Sequence, residues 1–244
     1  MILSKNLYLC SLFLLFLSCH SEKTETKTEI QKEIVVNKLE EKTETQKQNV
    51  ENSSSTKVLK EGDIIFQTST SSQSKAIQLA TKSKYSHVGI IFKVKKNGSK
   101  SDNFVVLEAV EPVKFTPLKE WVKRGKNAHF VVKRLKNADE ILTDEAIQKM
   151  RGVGENLVGK NYDLYFEWSD ERIYCSELVW KIYKEALDIE VGKLEKLASF
   201  DLNSKTVKDK MKERYGNKIS PAQLNERVIS PAAVFESDEL IFVK

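Results

Sequence analysis

The sequence predicts a single domain of the α+β class. Two observations lead there. Runs with strand character cluster in the first part of residues 58–244 and helix-spaced apolar stripes flank them, rather than alternating with them. Residues 20–57, by contrast, hold no aromatics and too few apolar residues to offset the entropy of ordering. That leaves about 187 residues for one core of ordinary size.

In order along the chain, the first segment is a targeting sequence. Lys5 stands near the start of MILSKNLYLCSLFLLFLS (1–18), followed by an apolar run of about eleven residues from Leu7 to Leu17. The run falls short of the ~20 residues that span a bilayer and suits the core of a signal peptide. It closes on Phe16-Leu17-Ser18-Cys19, which resembles a bacterial lipobox, although Phe16 departs from the usual Leu. Cys19 is then the expected lipidation site, and the expected location is the bacterial cell envelope, anchored to membrane on the periplasmic or outer surface. An ordinary secretory peptide cut nearby, or an uncleaved anchor, is the alternative. Residues 19–57 alternate Glu, Lys, Thr, Gln and Asn and read as a solvated tether. Ile30, Ile34, Val35, Val36 and Leu39 would suit a short helix there, without the several heptads of a coiled coil.

The domain, 58–244, opens with a turn at Glu61-Gly62-Asp63 leading into the strand Ile64–Phe66. Ala76, Ile77, Leu79 and Ala80 give Ser74–Lys82 a helical stripe. Ser86–Val94 is a β-rich run, Asn97-Gly98 a turn signal, and Asn103–Val110 a further strand. Pro117–Lys123 reads as a short helix containing Trp121, and Ala128–Leu135 alternates as a strand. Asp144–Val158 is amphipathic. Cys175–Leu187 carries the clearest helical stripe, through Leu178, Val179, Ile182, Tyr183, Ala186 and Leu187. Val207–Tyr215 is a more charged helix, and Glu239–Val243 returns to strand character. The charged stretch Lys193–Lys218 reads either as a lid over a cleft or as a solvated helix.

Composition excludes several classes. The chain of 244 residues has 40 Lys+Arg against 35 Asp+Glu, a net charge of +5 with both signs interspersed and no basic block, so no nucleic-acid partner is expected. Beyond the leader no stretch is long and apolar enough to span a membrane. Gly154-Glu-Asn-Leu-Val-Gly159-Lys160 imitates a phosphate-binding loop, but Asn161 stands where Ser or Thr must hold Mg²⁺, and a helical pattern precedes it instead of a strand. His20, His87 and His129 form no His-Glu-x-x-His, and no cysteines are paired, so neither metal nor cofactor is expected. Nothing in the sequence speaks to oligomeric state.

Cysteine arithmetic singles out one residue. Cys10 leaves with the leader, Cys19 is taken by lipid, and Cys175 remains alone in a compartment where thiols tend to oxidise. A lone thiol is either inert and buried or reactive. Cys175 starts a helix, where free N–H groups and the helix dipole favour a thiolate. A nucleophilic thiol also needs a base. His87 heads an apolar strand and can project from a sheet end, whereas His129 is expected on an exposed strand.

Gly62-Asp63-Ile64-Ile65-Phe66, Ser86-His87-Val88-Gly89-Ile90-Ile91 and Tyr174-Cys175-Ser176-Glu177-Leu178-Val179 together resemble the motifs of NlpC-type cysteine peptidases. The usual members place the cysteine helix first. Here it comes last, as in the circularly permuted, papain-like amidase branch, the YiiX/YaeF-like family. The resemblance spans nearly the whole domain. It implies an antiparallel sheet packed against helices and a hydrolase in which Cys175 is the nucleophile and His87 the general base. It further implies that Glu108 orients the imidazole and that Tyr162 places a hydroxyl near the thiol. Export suggests a peptide or muropeptide substrate of the cell wall. A lipid acyl hydrolase or transferase, or an inactive wall-peptide-binding module, are the alternatives.

Overall fold

Leu59–Asp63 lead into the first strand, and a computed structural model describes residues 59–94 and 103–243. The leader, Cys19, the tether and the Asn97-Gly98 turn lie outside the described residues. In chain order these form β1 (Ile64–Ser69), α1 (Ser72–Thr81), β2 (His87–Val94), β3 (Asn103–Glu108), β4 (Lys114–Pro117), α2 (Leu118–Lys123), β5 (Gly125–Leu135), α3 (Ala138–Ile141) and α4 (Asp144–Leu157). Next come β6 (Asn161–Tyr162), β7 (Arg172–Ile173), α5 (Cys175–Leu187), β8 (Glu195–Lys196), α6 (Lys205–Tyr215), α7 (Pro221–Asn225), β9 (Arg227–Val228), α8 (Pro231–Phe235) and β10 (Leu240–Phe242).

One sheet organises them, in the order β10-β5-β1-β2-β3-β4, with every pair antiparallel. The α+β expectation holds. Successive strand residues point to opposite faces, and here both faces are covered. Ile64, Phe66, Val88, Ile90 and Leu107 pack with Leu178, Val179 and Ile182 of α5, while Ile65, Ile91, Val106 and Val132 pack with Trp121 of α2. That double coverage is why β1 and β2 read as continuous apolar runs instead of alternating ones.

Several boundaries differ from the sequence reading, each for a physical reason. β1 continues through Gln67-Thr68-Ser69 because ladders on both sides hold polar residues that hydrophobicity cannot mark as strand. Lys114–Pro117 is an edge strand on β3, too short and polar to signal itself. The short helices α7 and α8 start from Ser220 and Ser230, whose hydroxyls accept from the Gln223 and Ala233 amides, with Pro in the first turn. Gly154 lies inside α4 and packs against Leu107 and Ile182, so the imitation of a phosphate loop is a helix contact.

The Gly62-Asp63 turn fastens the sheet to the cysteine helix. Gly62 adopts φ +82°, a left-handed backbone that suits glycine. Asp63 is wholly buried, and its carboxylate accepts from Arg134 of β5 at 2.6 and 2.8 Å and from the Lys60 amide at 2.8 Å. The Tyr183 hydroxyl of α5 donates to the Gly62 carbonyl.

Candidate active site

Cys175 is the first residue of α5, preceded by Tyr174 in extended backbone. The start of this helix is clamped from two sides. The Tyr174 amide donates to Glu177 at 3.3 Å, the Ser176 hydroxyl donates to the Ile229 carbonyl at 2.8 Å, and the Ile229 amide donates to the Tyr174 hydroxyl at 3.0 Å. The thiol is buried and accepts from the backbone amides of Ser176 and Val88. A helix N-terminus and a strand start therefore both aim N–H groups at sulfur, which favours its anion.

His87, first residue of β2, sits opposite Gln67 of β1. Its Nε2 lies 2.6 Å from Glu108 Oε2, which leaves Nδ1 for the Cys175 thiol, to which the ring is also hydrogen-bonded. The ring stacks on Trp121 at 5.8 Å between centroids and 23° between planes. Gly89 makes the Glu108 contact reachable. It follows His87 by two on the same face, and a Cβ there would meet Val106 Cγ1 at 2.5 Å and the Leu107 carbonyl at 2.8 Å.

Glu108 ends β3 fully buried. Its other oxygen accepts from the Thr116 hydroxyl at 2.6 Å and from the Arg124 guanidinium, so both oxygens are satisfied. Tyr162, in the short β6, pairs with Ile173 of β7, two residues before the cysteine. Its hydroxyl is hydrogen-bonded to the Cys175 thiol and accepts from Gln73 Nε2 at 3.1 Å. The structure thus brings together Cys175, His87, Glu108 and Tyr162. His129 is exposed on β5, as expected, and Glu111 is exposed and accepts the Tyr162 amide at 2.8 Å.

Sequence reasoning missed Gln73, Thr116, Trp121 as the ring's stacking partner, and Arg124. Gln73 reaches the site from α1 and the other three from residues 114–124, and no spacing within the chain signals that convergence.

The electrostatics favour a thiolate–imidazolium pair. Burial alone would lower the His87 pKa, but hydrogen bonds and charge from Cys175 and Glu108 outweigh it and carry it up to about 9. Burial would raise the Cys175 thiol, yet the His87 hydrogen bond and charge, with the two amides, hold it below its ordinary value. Burial likewise opposes ionisation of Glu108, and His87, Thr116 and Arg124 overcome it, so its pKa falls. Burial and the nearby Cys175 charge push Tyr162 well above 10, which keeps its proton available for donation. Such a set can attack a carbonyl, donate to an oxyanion and protonate a leaving group.

The family model for permuted papain-like amidase enzymes, the YaeF/YiiX or C92 family, matches residues 58–244. The chain belongs to this family. As a C92 member it is a cysteine peptidase or amidase, a hydrolase, and it carries the permuted motif order with the cysteine helix last. It is 48% identical over 182 residues to the protein YiiX of Escherichia coli (strain K12), covering 75% of this chain and 84% of that one. It is also similar to the crystal structure of metalloprotein yiiX from Escherichia coli O157:H7, with TM-score 0.69 and 48% identity, over 77% of this chain and 97% of that chain.

That relative is described as a metalloprotein. Among the described residues of this C92 chain no group of three His, Cys, Asp or Glu side chains is arranged to hold a metal ion, and both nitrogens of His87 are engaged by Glu108 and Cys175. The described residues do not fit a bound metal.

The C92 site opens into a cleft. One wall is the face Gln73, Ala76, Ile77, Ala80 of α1, and the opposite wall is the face Val207, Lys210, Met211, Arg214 of α6, both at helical spacing. Leu197, Phe200, Leu202 and Ile229 close it, so the lining is overwhelmingly apolar. The Lys193–Lys218 stretch is therefore a wall of the cleft.

Proposed function

We propose that this C92 member is an exported, lipid-anchored amidase in which Cys175 is the nucleophile, and that its acyl pocket takes an aliphatic chain. The observation that carries the reading is the Cys175 thiol, paired with His87, at the end of an apolar cleft. In this mechanism the Cys175 thiolate forms a bond to the scissile carbonyl carbon. The tetrahedral oxyanion is held by the Cys175 amide and the Tyr162 hydroxyl, whose proton is turned toward the thiol because Gln73 donates to its oxygen. His87 gives its proton to the leaving nitrogen as the C–N bond breaks. Water then attacks the thioester while His87 takes its proton, and the acid leaves as the thiolate returns. Glu108 holds the ring in place and favours its charged form.

The apolar lining favours an aliphatic acyl group over a muropeptide. Wall peptides carry several amides and carboxylates, each of which needs a polar partner when buried, and most of this cleft offers none. Lipid anchoring at Cys19 would place the pocket near such substrates. The test is turnover of N-dodecanoyl amides and of purified wall peptides by the full chain and by Cys175→Ala, read by mass spectrometry. Cysteine-dependent release of dodecanoate with wall peptides intact supports the reading, and cysteine-dependent cleavage of wall peptides alone overturns its acyl-chain part. An unreactive thiol with neither activity favours a binding module.

A further inference from the structure

Arg214 lines the cleft near its catalytic end, and its environment is unusual for a guanidinium. It stacks over the Phe166 ring with its central carbon 4.8 Å from the centroid. No carboxylate among the described residues lies within ion-pair distance of it. Lys210, the other cation of the α6 face, is instead offset by Glu213 at 2.6 Å. Glu213 and Asp163 act on Arg214 only beyond ion-pair distance, and the Tyr162 and Tyr215 hydroxyls also act on it. Burial lowers its pKa, yet an arginine remains charged. A half-buried cation without a counter-ion is costly, and a planar fork of donors matches the two oxygens of a carboxylate or phosphate.

Position gives this cation a role. Gln73 touches Tyr162 and Tyr162 touches the thiol, so the Gln73 end of α1 is the reactive end. From Gln73 to Ala80 the helix runs about 10 Å, and at that far end the Ala80 carbonyl accepts from the Asp201 amide. Leu202, just beyond, also lines the cleft. Arg214 stacks on Phe166, whose ring meets Tyr174, the neighbour of Cys175, edge-on at 5.1 Å, so the guanidinium stands at the reactive end, where the polar part of a substrate must lie once its chain fills the apolar part.

We infer that Arg214 is a specificity residue that binds an oxyanion, carboxylate or phosphate, on the polar end of an aliphatic acyl substrate, next to the scissile carbonyl. This rests on the acyl-chain reading above. The preferred substrates are then anionic acyl amides, and neutral ones are poor.

The experiment uses the full chain and three probes, N-dodecanoylglycine, N-dodecanoyl-O-phosphoethanolamine and the neutral N-dodecanoylglycinamide. Binding is measured by calorimetry on the Cys175→Ala chain with Arg214 intact, with Arg214→Gln and with Arg214→Lys. Turnover is measured in the same Arg214 variants with Cys175 present. The expected result is at least a tenfold preference for one or both anionic probes over the neutral one. Arg214→Gln should cost the anionic probes at least tenfold more than the neutral one and so abolish that preference, and Arg214→Lys should keep part of it. The carboxylate and phosphate arms show which oxyanion is favoured. Equal binding of all three probes with Arg214 intact, or equal losses on all three in Arg214→Gln, overturns the inference. An anion preference in binding without any turnover leaves the Arg214 site standing and removes the amidase reading of these substrates. Binding of none of them overturns both.

Discussion

Glu108 Oε2 lies 2.6 Å from His87 Nε2, and the carboxylate is wholly shielded from solvent while Thr116 and Arg124 hold its other oxygen. The imidazole is thus gripped by an acid that has no freedom to leave it, on the side away from the thiol. In a dry site such a contact both orients the ring and stabilises its charge.

The first prediction is a pH window. The Cys175 thiol ionises below its ordinary value, and His87 keeps its proton up to about 9. Turnover should therefore rise as the thiol deprotonates below ~8.5, the usual thiol value. It should fall as pH passes through about 9, because His87 then has no proton for the leaving group. Iodoacetamide labelling of Cys175 against pH should show reactivity well below pH 8. His87→Ala should move labelling toward the ordinary thiol range. Labelling that begins only above that range in the wild-type chain would sink the ion-pair assignment.

A second prediction separates the histidines. His87→Ala should lower kcat/KM by at least the ~10²-fold expected when a general base is lost. His129, exposed and not among the partners of the thiol, should tolerate Ala within a few fold. Glu108→Gln should fall between, with its alkaline limb at lower pH, because an amide can orient the ring but cannot offset its charge.

A third concerns the oxyanion. Tyr162→Phe removes the hydroxyl that touches the thiol and should lower kcat by about 10²-fold with little change in KM, the signature of a donor used in the transition state. Gln73→Ala should cost less, since it acts through Tyr162. An unchanged kcat in Tyr162→Phe would assign the oxyanion to backbone amides alone.

A fourth uses glycine. Gly89→Ala would drive a methyl against Val106 and the Leu107 carbonyl, 2.5 and 2.8 Å away. Overpacking of this kind costs about 1–3 kcal/mol, and here it also pushes β3 away from β2 and lengthens the Glu108–His87 contact. Thermal unfolding should show the loss of stability, and activity should fall further than stability accounts for. A variant as active and as stable as the parent would mean that the strands adjust freely.

The fifth concerns the leader. Cys19→Ser should move the protein from the membrane fraction to the soluble fraction of cells, while the activity of the isolated chain on soluble substrate stays unchanged. Membrane retention of the variant would point to an uncleaved anchor.

The α+β class, the long helices α4 and α5, the place of Cys175 at a helix start and the exposure of His129 were legible in the sequence, because each rests on local information. Helical stripes, a residue type at a helix start and short words such as Ser86-His87-Val88-Gly89 are properties of neighbours in the chain. Glu108 and Tyr162 were legible only through the family resemblance, since no spacing links them to the thiol. Thr116, Trp121 and Arg124 were not legible at all. They reach Glu108 and His87 because residues 114–124 fold back along β3 and cover one face of the sheet. The cleft is the clearest case. Gln73, Ala76, Ile77 and Ala80 form a stripe on α1, as Val207, Lys210, Met211 and Arg214 do on α6, and in a sequence such a stripe reads as core. Periodicity reports which residues share a face, but a face buried in a core and a face lining a cleft carry the same pattern. Only the packing of two helices more than a hundred residues apart makes these faces walls of a pocket beside Cys175.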